Sequence, residues 1–142
     1  NFLPVDPTPA TIESGQTPVV IDWEYLNVAQ TAALKGQRDW QLIVPEGAVV
    51  GAFYVQAINK DAPHPAAARL WQEFLYSDEG QNIWLQGFAR PVRLDAMVAA
   101  GTVDKEAVAN LPEAKGTPVF LTQDQLAKQQ EYLLENWEQA VE

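Results

Sequence analysis

Hydrophobic positions along this 142-residue chain switch between an extended and a helical period, and the switches lay out the elements. Pro4, Pro7 and Pro9 keep the first residues extended. Thr8 or Thr11 is then placed to cap a short helix that runs to Ser14 and is ended by Gly15. Pro18 leads into Val19, Val20 and Ile21, a β-branched run that fits a buried strand. The apolar character stops at Asp22, Trp23, Glu24 and Tyr25. From Tyr25 to Lys35, Leu26, Ala29, Ala33 and Leu34 recur at helical spacing, with Gly36 suited to the position just past the end. Trp40 to Val44 predicts a second strand, broken by Pro45, Glu46 and Gly47. Val49 to Ile58 predicts a third, in which Phe53, Val55 and Ala57 alternate with Tyr54, Gln56 and Ile58, a pattern that fits burial on both faces.

Pro65 suits the first position of the next helix, where a missing N–H costs nothing. Ala67, Leu70, Trp71, Phe74 and Leu75 give that helix a wide apolar stripe. Ser77 and Asp78 open another, containing Ile83, Trp84 and Leu85 and stopped at Gly87, so the pair reads as a helical corner. Short helical pieces follow around Asp95 to Ala100 and Asp104 to Asn110, punctuated by Gly101, Pro112, Gly116 and Pro118. Thr122 with Gln125 three residues later marks a capping-box start for a last helix to about Val141. Leu126, Leu133, Leu134, Trp137 and Val141 lie on one side of it, a face that must pack on something. No internal repeat or low-complexity tract occurs, and the class is α/β.

Composition bounds the function. With 47% apolar and 20% charged residues the chain is of globular type and long enough for one ordinary domain. A net charge of -10, with 9 Lys and Arg against 19 Asp and Glu, opposes binding to a phosphate backbone, so nucleic acid is not an expected partner. The same charge mildly favours cationic solutes. There is no cysteine, which removes disulfides and thiolate metal sites. No run of about 18 apolar residues spans a membrane and no signal segment is present. The start at Asn1, without Met, is expected of a piece of a longer mature chain.

Candidate chemistry concentrates at the end of the first strand. Asp22 and Glu24 lie two apart, so in extended geometry their carboxylates share a face while Trp23 points the other way. A hydrolase could use such a pair, yet a glycosidase needs a second carboxylate, usually from another segment, and no second acidic cluster stands out. The alternatives are a helix cap, with Asp22 capping and Glu24 in the first turn, and a ligand site. A carboxylate beside Trp and Tyr faces suits an ammonium or guanidinium group. His64 is the single histidine, which argues against a His metal site or a triad and for a capping or surface role. Trp71, Phe74, Trp84 and Leu85 are expected in the core. Arg90 and Arg93 flank Pro91 and could hold an anion or form surface ion pairs. No phosphate-binding glycine motif is present.

The stretch GAFYVQAINKDAPHPAAARLWQEFLYSDEGQNIWLQGFARPVR resembles the segment of ABC-importer solute-binding proteins that reads I-x-K-x-APHP-x-AA, an apolar helix, F-L-x-S-x-EGQ and G-x-x-PVR. Ala62 to Ala68, Phe74, Leu75, Ser77, Glu79 to Gln81, Gly87 and Pro91 to Arg93 fall at the matching places. Upstream, SGQTPVVIDWEYLN is similar to the family's G-x-x-P-V-x-x-x-W-x-Y segment. Together they cover Ser14 to Arg93.

The resemblance, to extracellular solute-binding proteins of family 1, implies the C-terminal part of a type II periplasmic-binding-protein-like two-lobed α/β fold. It divides the chain into a second-lobe segment with the ligand-site strand (1–45), a crossover and helical corner (46–93) and C-terminal helices (94–142). It implies a periplasmic or extracellular binder, with a membrane-anchored lipoprotein as one form, that hands a solute to an ABC permease without catalysis or cofactor. Surfaces left by a missing lobe could drive self-association. Members bind ferric iron, thiamine, polyamines or aminophosphonates. The iron binders present two adjacent tyrosines where this chain has Glu24 and Tyr25, so no metal is assigned. A polyamine-like cation is expected at Asp22, Trp23, Glu24 and Tyr25, with Tyr54 and Arg90 as further contacts.

Overall fold

A computed structural model describes residues 4–47, 49–113 and 116–141. The first helix, α1 (Pro9–Glu13), begins where Thr8 and Thr11 cap each other: the Thr8 hydroxyl accepts from the Thr11 N–H and the Thr11 hydroxyl accepts from the Thr8 N–H. Gly15, at φ 79°, turns the chain out of it. Helix α2 (Glu24–Leu34) packs back on α1, burying Ile12, Asn27 and Leu34. Two long side chains fasten this pair, Gln30 donating to the Pro7 carbonyl (2.9 Å) and Arg38 to the Glu13 carbonyl (2.7 Å). Lys35 and Gly36 both take the left-handed conformation at its end, so the reversal starts one residue before the glycine.

The expected corner is formed by α3 (Pro65–Tyr76) and α4 (Asp78–Gln86), with α5 (Leu94–Ala100) and α6 (Lys105–Ala109) behind it. Three residues of the S-x-EGQ motif, Ser77, Gly80 and Gln81, have physical tasks there. The Ser77 hydroxyl donates to the Phe74 carbonyl and accepts from the Gly80 N–H, ending one helix and capping the next. Gly80 lies so close to α3 that a Cβ on it would come well inside 3.0 Å of the Phe74 carbonyl oxygen. Buried Gln81 donates to the Leu75 carbonyl (2.7 Å) and accepts from the Arg93 N–H (3.0 Å), tying both ends of the corner to α4. Arg93 completes the tie with an ion pair to Asp78 at 2.8 Å. Leu85 and Met97 are fully enclosed behind it, with Ala107 beside them. Asn82 links α4 to α6 through the Thr102 carbonyl and the Asp104 N–H, and the Asp104 carboxylate caps α6.

Helix α4 ends at Gly87, as expected, but the left-handed turn falls one residue later. Gly87 keeps φ −83°, and Phe88 takes the left-handed turn at φ 67°. The Phe88 N–H reaches the Leu85 carbonyl (2.9 Å) and the Ala89 N–H the Trp84 carbonyl (3.1 Å), the paired bonds of a Schellman ending with phenylalanine in the place glycine favours.

The strands depart most from expectation. Residues 19–21 and 40–44 form none, and of 49–58 only β1 (Val50–Gly51) is strand, paired in parallel with β2 (Val119–Phe120). Gly51 leaves room for the Phe120 ring, which stacks on Phe53 with centroids 4.6 Å apart. A strand needs neighbours for its backbone groups and for its side chains. Here Ile21 is 99% exposed, and Phe53 and Val55 also face outward. Trp71 and Trp84, expected in the core, are about half exposed, although Trp71 stacks on half-buried Phe74. The last helix, α7 (Gln123–Val141), starts at the expected Thr122–Gln125 capping box, yet Leu133 and Leu134 face solvent. The exposed surface totals 11292 Å², roughly 1.5 times the ~7,300 Å² of a compact monomer of this mass.

Candidate functional site

The segment Asp22–Tyr25 forms the entry to α2, and its backbone is held from inside the helix. Asn27, buried one turn on, donates its side-chain amide to the Asp22 and Trp23 carbonyls at 3.3 and 3.4 Å. Thr31 in turn donates to the Asn27 carbonyl. Trp23 occupies the cap position with no side-chain cap bond, while the Asp22 carboxylate accepts from the Trp23 N–H at 2.7 Å. Asp22 therefore sits one residue before the cap. Because the helix begins at Glu24, extended alternation does not set where the two carboxylates lie.

Glu24 and Tyr25 are consecutive on the helix and so diverge by about 100° around its axis. Glu24 meets the corner: Arg90 reaches its Oε1 from Nη2 (2.9 Å) and from Nε (3.2 Å). The same guanidinium also donates to the Pro112 carbonyl, so one side chain joins α2, the exit of α4 and the segment after α6. Tyr25 turns to the segment after β1, where its hydroxyl lies 3.0 Å from that of Tyr54. All six residues singled out in the sequence, Asp22, Trp23, Glu24, Tyr25, Tyr54 and Arg90, are thus linked by chain or hydrogen bond around one helix entry. The hydrogen bond with Tyr54 holds the Tyr25 phenol above its ordinary pKa, with lesser upward contributions from desolvation, Tyr54 and the Asp22 charge.

Trp23 is 43% exposed and Asp22 is exposed, so a carboxylate and an indole face are both open to solvent here. Two residues outside the sequence reading matter. Asn27 orients the entry, and nothing in the sequence set it apart from Gln30 and Thr31 on the same side of α2; the Pro112 carbonyl carries no side-chain signal. Arg93 belongs to the corner and lies apart from the cluster, bonded to Asp78 and the Tyr76 carbonyl. His64 occupies the cap position of α3 without a side-chain cap bond. Among the described residues no group of three or more His, Cys, Asp or Glu side chains could hold a metal ion, and no helix is long and apolar enough to cross a membrane.

Two open grooves meet at Phe88 and Asn110, one of them along the side of α2 that Glu24 heads. One, of about 330 Å³, is lined by Val28, Thr31, Ala32, Phe88 and Asn110. The other, of about 230 Å³, is lined by Gln86, Phe88, Asp104, Glu106, Ala107 and Asn110. Neither includes the Asp22–Tyr25 entry, which is an open edge.

A family model described as bacterial extracellular solute-binding protein matches residues 3–89. The match takes in α1, the Asp22–Tyr25 entry, β1 and both helices of the corner, and stops one residue before Arg90. No curated protein matches the chain. No solved structure does either.

Proposed function

The chain belongs to the bacterial extracellular solute-binding proteins, and from that premise we propose that it captures a small organic cation at the α2 entry and delivers it to an ABC permease. The family gives a solute-binding role in transport and a periplasmic or extracellular setting. A polyamine-like solute, the permease as partner and the six contact residues are this proposal's own. No catalytic step enters it: such binding proteins are typically not enzymes, and the engagement of Glu24 by Arg90 supports that reading over a hydrolase that uses Asp22 and Glu24.

One observation carries the reading. The Asp22 carboxylate and the Trp23 indole are open to solvent at the α2 entry, the first turn of the helix carries Tyr25, whose hydroxyl meets that of Tyr54 at 3.0 Å, and an ion pair, a cation–π face and oxygen acceptors are what an ammonium group uses. Asp22, Trp23, Tyr25 and Tyr54 are the direct contacts on this reading, and Glu24 with Arg90 forms the wall behind them.

The chain is further proposed to be the C-terminal part of a two-lobed type II fold of family 1, divided as 1–45, 46–93 and 94–142. The excess of exposed surface supports it. A homodimer of ordinary size buries about 800 Å² per partner, far less than the ~4,000 Å² by which this surface exceeds that of a compact monomer. Apolar side chains left open on three separate segments, Ile21, Phe53 with Val55, and Leu133 with Leu134, are what a core divided between two lobes presents.

A second reading rests on the tyrosines. Adjacent tyrosines are absent from the sequence, yet Tyr25 and Tyr54, 29 residues apart, bring their hydroxyls to 3.0 Å. A phenolate pair suits ferric iron. The raised Tyr25 pKa favours the neutral phenol, which ranks this reading below the organic cation.

A thermal-shift screen of the full-length protein against polyamines, thiamine, aminophosphonates and ferric citrate separates them, since a native-state ligand raises stability by mass action. Stabilisation by polyamines supports the first reading. Stabilisation by ferric citrate with a phenolate-to-iron colour, absent in Tyr54→Phe, replaces it with the second. Stabilisation by neither group refutes both.

A further inference from the structure

We propose that Arg90 sets the charge of the solute site, and so determines whether it prefers singly or doubly charged cations. The inference rests on the organic-cation reading and adds a specificity-determining residue to it. Two carboxylates, Asp22 and Glu24, stand within three residues at the α2 entry, and one of them is answered by a guanidinium. Arg90 spends both Nη2 and Nε on the single oxygen Oε1 of Glu24, at 2.9 and 3.2 Å. Its position does not depend on Glu24 alone, because Nη2 also donates to the Pro112 carbonyl. Two anchors from separate segments hold a long, flexible side chain at this place.

The consequence is a local charge of −1: Asp22 and Glu24 contribute −2, and Arg90 returns +1. Asp22 meets the solute, and Glu24 is neutralised by Arg90. Such a site meets one ammonium group of a polyamine-like solute directly. With Arg90 removed the site carries −2 and gains attraction for a second positive charge, and with Glu24 neutralised instead it carries no net charge and loses it. Both Glu24 and Arg90 are partly exposed. The effect therefore operates at the high effective dielectric of a protein surface and is screened by salt.

The test compares 1,4-diaminobutane with 1-aminobutane by calorimetric titration of the full-length protein, using the ratio of their affinities. Arg90→Gln is expected to raise the diamine preference about tenfold at low salt, and the rise should shrink at 0.5 M salt. Glu24→Gln should lower the ratio below that of the unmodified protein. The double variant E24Q/R90Q has the unmodified net charge and should return the ratio to its starting value, which a merely structural role of Arg90 would not do. Arg90→Lys, which keeps the charge and loses the planar fork, should leave the ratio within about threefold. If R90Q does not fold, Glu24→Gln and Arg90→Lys still decide. A ratio unmoved by R90Q or E24Q, or one left raised in the double variant, overturns the inference while the cation reading stands. Binding of neither amine by the unmodified protein overturns the cation reading, and the inference with it.

Discussion

Replacing Gly80 by Ala isolates the contact on which the helical corner depends. Alanine is the better helix former, and in an exposed helix the change would stabilise by about 1 kcal/mol. Here the added Cβ would press well inside 3.0 Å of the Phe74 carbonyl oxygen, a backbone atom that cannot swing aside, with the Leu75 Cα close behind. Helix α4 must then back away from α3. That movement strains the Ser77 hydroxyl bond to the Gly80 N–H, a cap worth about 1 kcal/mol. It also pulls buried Gln81 from the Leu75 carbonyl and the Arg93 N–H, and leaving such groups unsatisfied costs about 1–3 kcal/mol. Against the helix-propensity gain, the net loss comes to about 1–3 kcal/mol. Urea unfolding followed by tryptophan fluorescence should show a midpoint lower by about 1 M, given a slope of about 1–3 kcal/mol/M. Gly87→Ala is the control. Its added Cβ would lie 3.4 Å from the Trp84 carbonyl oxygen at φ −83°, so its effect should stay within about 0.5 kcal/mol. A Gly80→Ala protein as stable as the unmodified one, or more so, would refute the close-approach argument.

Phe88 reverses the usual order of glycine and alanine. Phe88→Ala keeps the left-handed backbone and its strain, whereas Phe88→Gly relieves it, so the glycine variant should be the more stable of the two by about 1 kcal/mol in the same unfolding experiment. Equal stabilities would show that the positive φ is not retained. For Tyr25, a folded-state pKa raised above the unfolded value near 10 means that the phenol's contribution to stability is intact below about pH 10 and is lost as pH rises through the folded value. A tyrosine-resolved NMR titration should find Tyr25 ionising later than a free tyrosine. Tyr54→Phe should remove most of that delay, and a delay surviving Tyr54→Phe would assign it to the other causes.

The helices were legible in the sequence because their signals are local. Thr8 with Thr11, Ser77 and Thr122 with Gln125 satisfy backbone groups within one turn, Pro65 removes a donor that would have had no partner, and the structure places helix starts at all of them. The strands were not legible in the same way. A run such as Val19–Ile21 encodes a wish to be covered on both sides, and whether a neighbour exists is a property of distant chain. Trp71 and Trp84 share that origin: helical spacing marks the apolar face, while burial depends on what packs against it. The candidate site was legible in part. Asp22 to Tyr25 announced themselves by ending an apolar run with acids and aromatics. Their division of labour did not, because it arises from Arg90, 66 residues from Glu24, and Tyr54, 29 residues from Tyr25. The stop at Gly87 was legible, whereas the left-handed turn at Phe88 carries no sequence signal, because phenylalanine does not favour that conformation.

The claim that the α2 entry binds a cationic solute is tested most directly by calorimetric titration of the full-length protein with 1,4-diaminobutane, comparing the unmodified protein with Trp23→Ala. The indole face is about half open and leaves the backbone held by Asn27 undisturbed when truncated. Loss of a cation–π contact worth about 0.5–2 kcal/mol should weaken binding by about 2- to 30-fold. Unchanged affinity in Trp23→Ala, or no binding of the amine by the unmodified protein, would contradict the account.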